Sequence, residues 1–181
     1  IITSSKDGIK VQVNSSLPLL TQPKITGITT TSCGACNTDG LDTLITDLPI
    51  VEGGIKFDES ILHLGLEQMK SLQDGFSKTG GMHSAGLLNF TGDLKYLSED
   101  IGRHNAVDKV VGKSITDATM SEFILLLSGR CGWDIVAKAA RANISVIASI
   151  GACSTLAAEC ARQLGITIYS FVKQNSATII G

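Results

Sequence analysis

Two thiols three positions apart, in Cys33-Gly-Ala-Cys36, are the most nucleophilic side chains that the sequence sets close together. That spacing serves several chemistries. Structural zinc asks for a second ligand pair, and Cys131, Cys153 and Cys160 are not spaced as one, so no metal site is expected. A dithiol redox couple opens a helix in a βαβ unit, a context only loosely matched here. A nucleophilic thiolate would receive a group and pass it on, the second thiol assisting or resolving. Lys24 is the nearest cation, which leaves loop amides or a helix end to lower a thiol pKa. The spacing is equally consistent with two idle thiols in a loop.

A denser constellation lies in Ser98-Glu-Asp-Ile-Gly-Arg-His-Asn-Ala-Val-Asp-Lys-Val-Val-Gly-Lys113. Its apolar spacing predicts a helix over 102–113, with Ala106, Val107, Val110 and Val111 on one face and His104 and Asp108 on the other. Asp100 is the expected N-cap. Arg103 projects on the apolar side, where a guanidinium needs a buried partner or a pocket beyond the helix start. In Thr79-Gly-Gly-Met-His-Ser-Ala-Gly86 the paired glycines would leave His83 unscreened in a site, although the same residues also read as a turn entering a strand. His83, His104 and Asp108 together are an acid–base set of the kind a nucleotide-modifying protein would use.

The elements that must position these residues follow from periodicity. A strand over 9–13 and a Thr- and Ile-rich strand over 25–32 come first, and the second delivers the chain into the thiol loop. A short helix over 41–48 follows, with Asp39 as its expected cap. Ile61, Leu62, Leu66, Met69 and Leu72 predict a helix between Asp58 and Asp74, stopped by Gly75. Strands over 85–90 and 94–97 flank the hairpin signal Thr91-Gly-Asp93. The last third alternates strand 123–127, helix 133–142, strand 144–148, helix 155–164 and strand 166–171, a βαβαβ succession of parallel strands. Ser128–Cys131, Ser149–Cys153 and Phe171–Ser176 then follow strand carboxyl ends, where open α/β sheets bind ligands. Two of these loops open helices, so their amides face outward for an anion, with Arg130 and Lys173 supplying charge. A phosphate-bearing ligand fits, while the absence of a Walker loop or a full Gly-x-Gly-x-x-Gly argues against NTP hydrolysis and dinucleotide redox. Cys131, Cys153 and Cys160 read as small packing residues.

Composition sets the outer bounds. The chain has 181 residues, 43% of them apolar and 18% charged, with a net charge of −2. This suits one sizeable domain with a real core and leaves no basic surface for nucleic acid. No apolar run spans a bilayer and no signal peptide is seen, so a cytoplasmic protein without a membrane partner is expected. An odd count of five cysteines fits reduced thiols. The first residue is Ile1 rather than Met, which suggests a fragment.

Ser32-Cys-Gly-Ala-Cys36, Thr79-Gly-Gly-Met-His83, Ser98 to Lys109 and Ser128-Gly-Arg130, in this order, resemble the FdhD family of formate dehydrogenase accessory sulfurtransferases. The resemblance implies an α/β, cytidine-deaminase-like three-layer fold with a mixed sheet and a C-terminal βαβαβ unit. It makes residues 1–31 the remnant of a β-rich N-terminal region and 32–181 the sulfurtransferase domain. It further implies a homodimer that passes persulfide sulfur from a cysteine desulfurase to the bis(molybdopterin guanine dinucleotide) molybdenum cofactor of formate dehydrogenase. Cys33 corresponds to the persulfide carrier, with Cys36 assisting. Phe171, Val172, Lys173, Gln174, Asn175 and Ser176 fall on the cofactor stretch, and His83, Arg103, His104 and Arg130 are expected to contact the cofactor as well. Two departures stand out: Asn37 replaces a glycine usual after the second cysteine, and Ser176 replaces an arginine. No His-x-Glu followed by Pro-Cys-x-x-Cys is present, so zinc deamination is not supported. A non-catalytic protein that shelters the molybdenum cofactor is the alternative expectation.

Overall fold

The computed structural model describes residues 2–5, 8–11, 45–53, 55–115 and 120–181. The chain divides into two units, Ile1–Ser32 and Cys33–Gly181. In the first, β1 (Ile2–Ser5) pairs antiparallel with β2 (Gly8–Val11), Ile2 opposite Val11. The strand expected over 9–13 is thus the second half of a hairpin. The strand over 25–32, the thiol loop and the first half of the helix over 41–48 lie outside the described residues; in the second half Ile45 is helical and residues 46–48 form a turn and bend.

The second unit is a mixed six-stranded sheet with helices on both faces. Its strands are β3 (His83–Asn89), β4 (Leu94–Asp100), β5 (Phe123–Leu127), β6 (Val146–Ser149), β7 (Thr167–Lys173) and β8 (Ser176–Ile180). They lie in the order β4-β3-β5-β6-β7-β8. The β5–β6 and β6–β7 pairs are parallel, as the βαβαβ reading requires, and the outer pairs are antiparallel. The helices are α1 (Ser60–Ser71), α2 (Asp74–Thr79), α3 (Arg103–Ser114), α4 (Trp133–Arg141) and α5 (Thr155–Leu164).

Alternation along the central strands divides the core into two layers. Leu125, Leu127 and Ile147 point to one face, where Val107 and Val110 of α3, Ile135 of α4 and Ala161 of α5 cover them. Ile124, Leu126 and Ala148 point to the other, against Leu62, Leu66 and Met69 of α1. Every residue of β5 and β6 is buried, which is why those strands read as unbroken apolar runs.

Three boundaries differ from expectation. The helix between Asp58 and Asp74 ends at Ser71, and Gly75 lies inside the separate helix α2, which stops instead at Gly80 with φ 66°. Asp100 does not cap α3: it closes β4, and the N-cap is Gly102, without a side-chain cap. The stretch Phe171–Ser176 is no open loop but the end of β7, a two-residue turn and the start of β8. β7 continues past residue 171 because β8 pairs back onto it, placing Lys173 opposite Ser176.

Candidate functional site

One edge of the sheet gathers most of the chemistry. Because β3 runs antiparallel to β5, His83 at its start lies at the same edge as the carboxyl ends of β5, β6 and β7, and so does Asp100 at the end of β4. Helices α3, α4 and α5 all begin there. Only α5 has a side-chain cap, Ser154, whose Oγ accepts from Ala157 N–H. The N-caps of α3 and α4 are Gly102 and Gly132, and their first-turn amides carry the partial positive charge of a helix start.

The carboxylates of the Glu99-Asp100 pair are taken up by the scaffold. Glu99 accepts from Gly75 N–H at 2.8 Å and from Phe76 N–H at 2.9 Å, so it caps α2. Asp100 meets Lys109 Nζ at 2.6 Å and accepts from Gly102 N–H at 2.8 Å and from Asn105. Lys109, then the Gly102 amide and Asn105, hold its carboxyl down at about 2. A carboxylate so fixed in its ionised form orders the turn into α3 and is no proton donor near neutral pH. Asp108 is likewise structural, paired with Lys138 of α4 at 2.5 Å.

His104 and Arg103 turn inward. The face bearing His104 and Asp108 packs toward α4 rather than toward solvent, since His104 Nδ1 pairs with the Asp134 carboxylate in the first turn of that helix. Burial pushes the His104 pKa below the ordinary histidine value, with Arg103 and Lys138 adding to the effect. A neutral imidazole has one N–H donor and one acceptor nitrogen. Arg103 Nε, Trp133 Nε1, both His104 ring nitrogens and both Asp134 carboxylate oxygens are buried without a hydrogen-bond partner among the described residues. Buried polar groups seldom remain unmatched in the working state of a protein. Arg103 Nε and Trp133 Nε1 are N–H donors beside two glycine-led helix starts, and these donors and amides suit an anion that can accept several hydrogen bonds.

The backbone around this cluster is pared down so that neighbouring loops touch. A Cβ on Gly132 would lie 2.5 Å from Asp134 Oδ1, so the glycine makes room for the carboxylate that holds His104. A Cβ on Gly151 would lie 2.9–3.0 Å from the backbone of Gly129 and Arg130. Ser149 Oγ donates to Gly129 O and accepts from Gly151 N–H, tying the ends of β5 and β6. Phe171 N–H donates to Gly151 O at 3.3 Å, extending the seam to β7. Phe171 itself is half exposed and holds φ 53°, a conformation that costs a side-chain-bearing residue energy and that clusters at ligand sites.

Two cavities open on the α1 face. One, of about 480 Å³, is lined by Leu66, Met69, Phe76 and Met82 with His83 and Ser128 at its polar end. The other, of about 510 Å³, is bounded by Val172, Lys173, Ser176, Tyr169 and the start of α1 at Glu59 and Ser60. Of the residues expected at the site, His83, Arg103 and His104 thus converge near the helix starts, and Val172 to Ser176 line a cavity of their own. Arg130 is exposed on the seam between them. Cys33 and Cys36 lie outside the described residues. Trp133 and Asp134 are not anticipated by the sequence: an acidic residue in a helix's first turn is ordinary, and nothing local pairs position 104 with position 134.

The family model described as the FdhD/NarQ family matches residues 1–180. The chain belongs to the FdhD/NarQ family. A sulfur carrier protein FdhD of Sulfurisphaera tokodaii is 35% identical over 173 residues, which cover 94% of this chain and 65% of the relative. Another, from Picrophilus torridus, is 43% identical over 152 residues, covering 82% and 58%. A crystal structure of a formate dehydrogenase accessory protein from Desulfotalea psychrophila superimposes with a TM-score of 0.68 at 25% identity, covering 76% of this chain and 58% of that one. The chain therefore spans less than two thirds of the length of these relatives. Of the four motifs that carry the resemblance in this FdhD/NarQ family member, those at His83 and at Arg103–His104 meet at the helix starts and Ser128-Gly-Arg130 forms the seam beside them, while the thiol loop lies outside the described residues. Among the described residues no helix is long and apolar enough to cross a membrane.

Proposed function

We propose that this chain is a sulfur carrier for formate dehydrogenase maturation, in which Cys33 receives persulfide sulfur from a cysteine desulfurase and passes it to the bis(molybdopterin guanine dinucleotide) molybdenum cofactor before insertion. Membership of the FdhD/NarQ family and relatives named sulfur carrier protein FdhD support the reading. The structural observation that carries it is the cluster of Arg103 Nε, His104 Nε2 and Trp133 Nε1, buried and unmatched beside two glycine-led helix starts. Such a cluster is what an anionic, phosphate-linked substrate requires.

The Cys33 thiolate attacks the outer sulfur of the donor persulfide, the donor thiolate leaves, and Cys33–S–SH results, with Cys36 assisting later release. Arg103 and the first-turn amides of α3 and α4 would hold phosphate oxygens, with Asp134 keeping His104 oriented toward them. Lys173 and the hairpin residues Phe171 to Ser176 would take the remainder of the nucleotide, and His83 and Arg130 would border it. The cofactor is substrate in this scheme, and formate dehydrogenase its destination. The protein acts in the cytoplasm as a homodimer.

Mass spectrometry after incubation with a cysteine desulfurase and cysteine tests the sulfur step. Cys33→Ala should lose the added sulfur, and unchanged loading would sink the assignment of Cys33. Arg103→Ala should load normally yet bind a guanine nucleotide more weakly. A variant lacking both Cys33 and Cys36 that still matures formate dehydrogenase would identify the chain as a shelter for the cofactor instead.

A further inference from the structure

Cys131, Cys153 and Cys160 are expected to be small packing residues, and Cys131 and Cys160 are buried in the core with Cys153 packed against it. Cys131 and Cys153 also face each other across the ends of β5 and β6. They form a parallel bridge just beyond those strands, locked by Cys131 N–H to Ala152 O at 2.9 Å and Ser154 N–H to Cys131 O at 3.1 Å. Both are free thiols that the bridge sets side by side as sheet neighbours, with Cys153 Sγ donating to Ser154 O at 3.3 Å. Their exposures differ: Cys131 is 1% exposed, whereas Cys153 reaches the surface. Cys153 stands immediately before Ser154, the N-cap of α5, where the helix field favours a thiolate.

We propose that Cys131 and Cys153 form a second sulfur-accepting site, distinct from the Cys33–Cys36 loop, at which Cys153 takes up sulfane sulfur from a small persulfide and Cys131 retains it. The Cys153 thiolate attacks the outer sulfur of the donor R–S–SH. The donor S–S bond breaks, R–S⁻ leaves and is protonated by solvent, and Cys153–S–SH forms with no net change of oxidation level. Cys153 is the nucleophile because it is accessible and because the Cys131 thiol beside it, opposed by partial burial and aided by Arg162, lowers its pKa. Cys131 is the retaining partner. Its Cys153 neighbour and its burial raise its thiol well above the ordinary range, so it stays protonated and donates to the perthiolate. A thiol held in that form is a poor nucleophile toward the inner sulfur, so closure to a Cys131–Cys153 disulfide with expulsion of HS⁻ is suppressed.

The inference goes beyond the sulfur-carrier reading and rests on this pair alone, so its test removes the first pair. A Cys33→Ser/Cys36→Ser variant is treated with cysteine persulfide, alkylated without reduction and mapped by mass spectrometry. One added sulfur atom on the Cys153 peptide is expected, lost in the further variant Cys153→Ser and retained on first exposure in Cys131→Ser. In Cys131→Ser the sulfur should be released about tenfold faster, the loss of one hydrogen bond to a charged sulfur. Loading of Cys153 no greater than that of buried Cys160 would overturn the proposal, as would a Cys131–Cys153 disulfide as the main product. Because Cys33 is absent throughout, neither failure bears on its own role.

Discussion

At His104 the protein holds an imidazole below its ordinary pKa chiefly by burial, with Arg103 and Lys138 contributing. An anion brought to Nε2 reverses that balance, since it favours the protonated ring. Guanosine diphosphate binding should therefore take up a proton on His104 and tighten as pH falls from about 7 toward 5.5, the region around the ordinary histidine pKa. Calorimetry in buffers of different ionisation enthalpy measures the uptake, and a His104→Gln variant with the same uptake would contradict the placement. Asp134→Asn should weaken guanosine diphosphate binding by freeing the ring, measured in the same calorimetry. Asp100 gives the stability counterpart. Its folded pKa lies below the unfolded value, so its contribution is complete above about 3.9 and disappears as pH falls through about 2. The thermal midpoint of Asp100→Asn should lie below that of the parent at pH 7, and the gap should close toward pH 2. These roles were only half legible. Charge and spacing mark residues 98–113 as special, but which groups are scaffold and which face a ligand depends on partners such as Gly75, 24 positions from Glu99, and Asp134, 30 positions from His104.

Elements built from local signals matched the sequence well, because strand and helix periods are short-range properties. The boundaries 123–127 and 155–164 emerge as expected, as does the hairpin turn, where Gly92 takes φ 93°. The helix over 102–113 emerges as expected, but its cap is Gly102 rather than Asp100, because a capping aspartate and a strand-terminal aspartate look alike until the cross-strand pair His83–Asp100 is known. Helix α2 was missed for a related reason: six residues with no buried side chain give no amphipathic pattern, and a nucleus this short is unfavourable by itself. Its stability comes from outside, through the Glu99 carboxylate on its first amides. Glu99→Ala should cost about 1 kcal/mol, the typical value of a helix cap, read as a lower denaturation midpoint in urea. An unchanged midpoint would mean that α2 forms without its cap.

Across the whole edge, the seam His83–Gly129–Gly151–Phe171 joins the polar cluster to the β7–β8 hairpin, the His83 ring lying against Gly129 and backbone contacts linking Gly129 to Gly151 and Gly151 to Phe171. The arrangement follows from topology: the antiparallel β3 and β4 bring their own ends to the carboxyl side of the parallel strands, which is where open sheets bind ligands. A nucleotide diphosphate engaging both ends should report them separately, because Arg103 and Lys173 stand on different elements and share no partner among the described residues. For guanosine diphosphate, Arg103→Ala and Lys173→Ala should each weaken binding, and the double variant should lose the sum of the two within about 0.5 kcal/mol. Guanosine, which lacks the phosphates, should be indifferent to Arg103→Ala, because the guanidinium then has no anion to meet. Equilibrium titration of the two ligands against the four proteins is sufficient. Full guanosine diphosphate affinity in Lys173→Ala would remove the hairpin from the site, and a guanosine affinity that falls with Arg103 would mean the base, rather than the phosphates, sits at the helix starts.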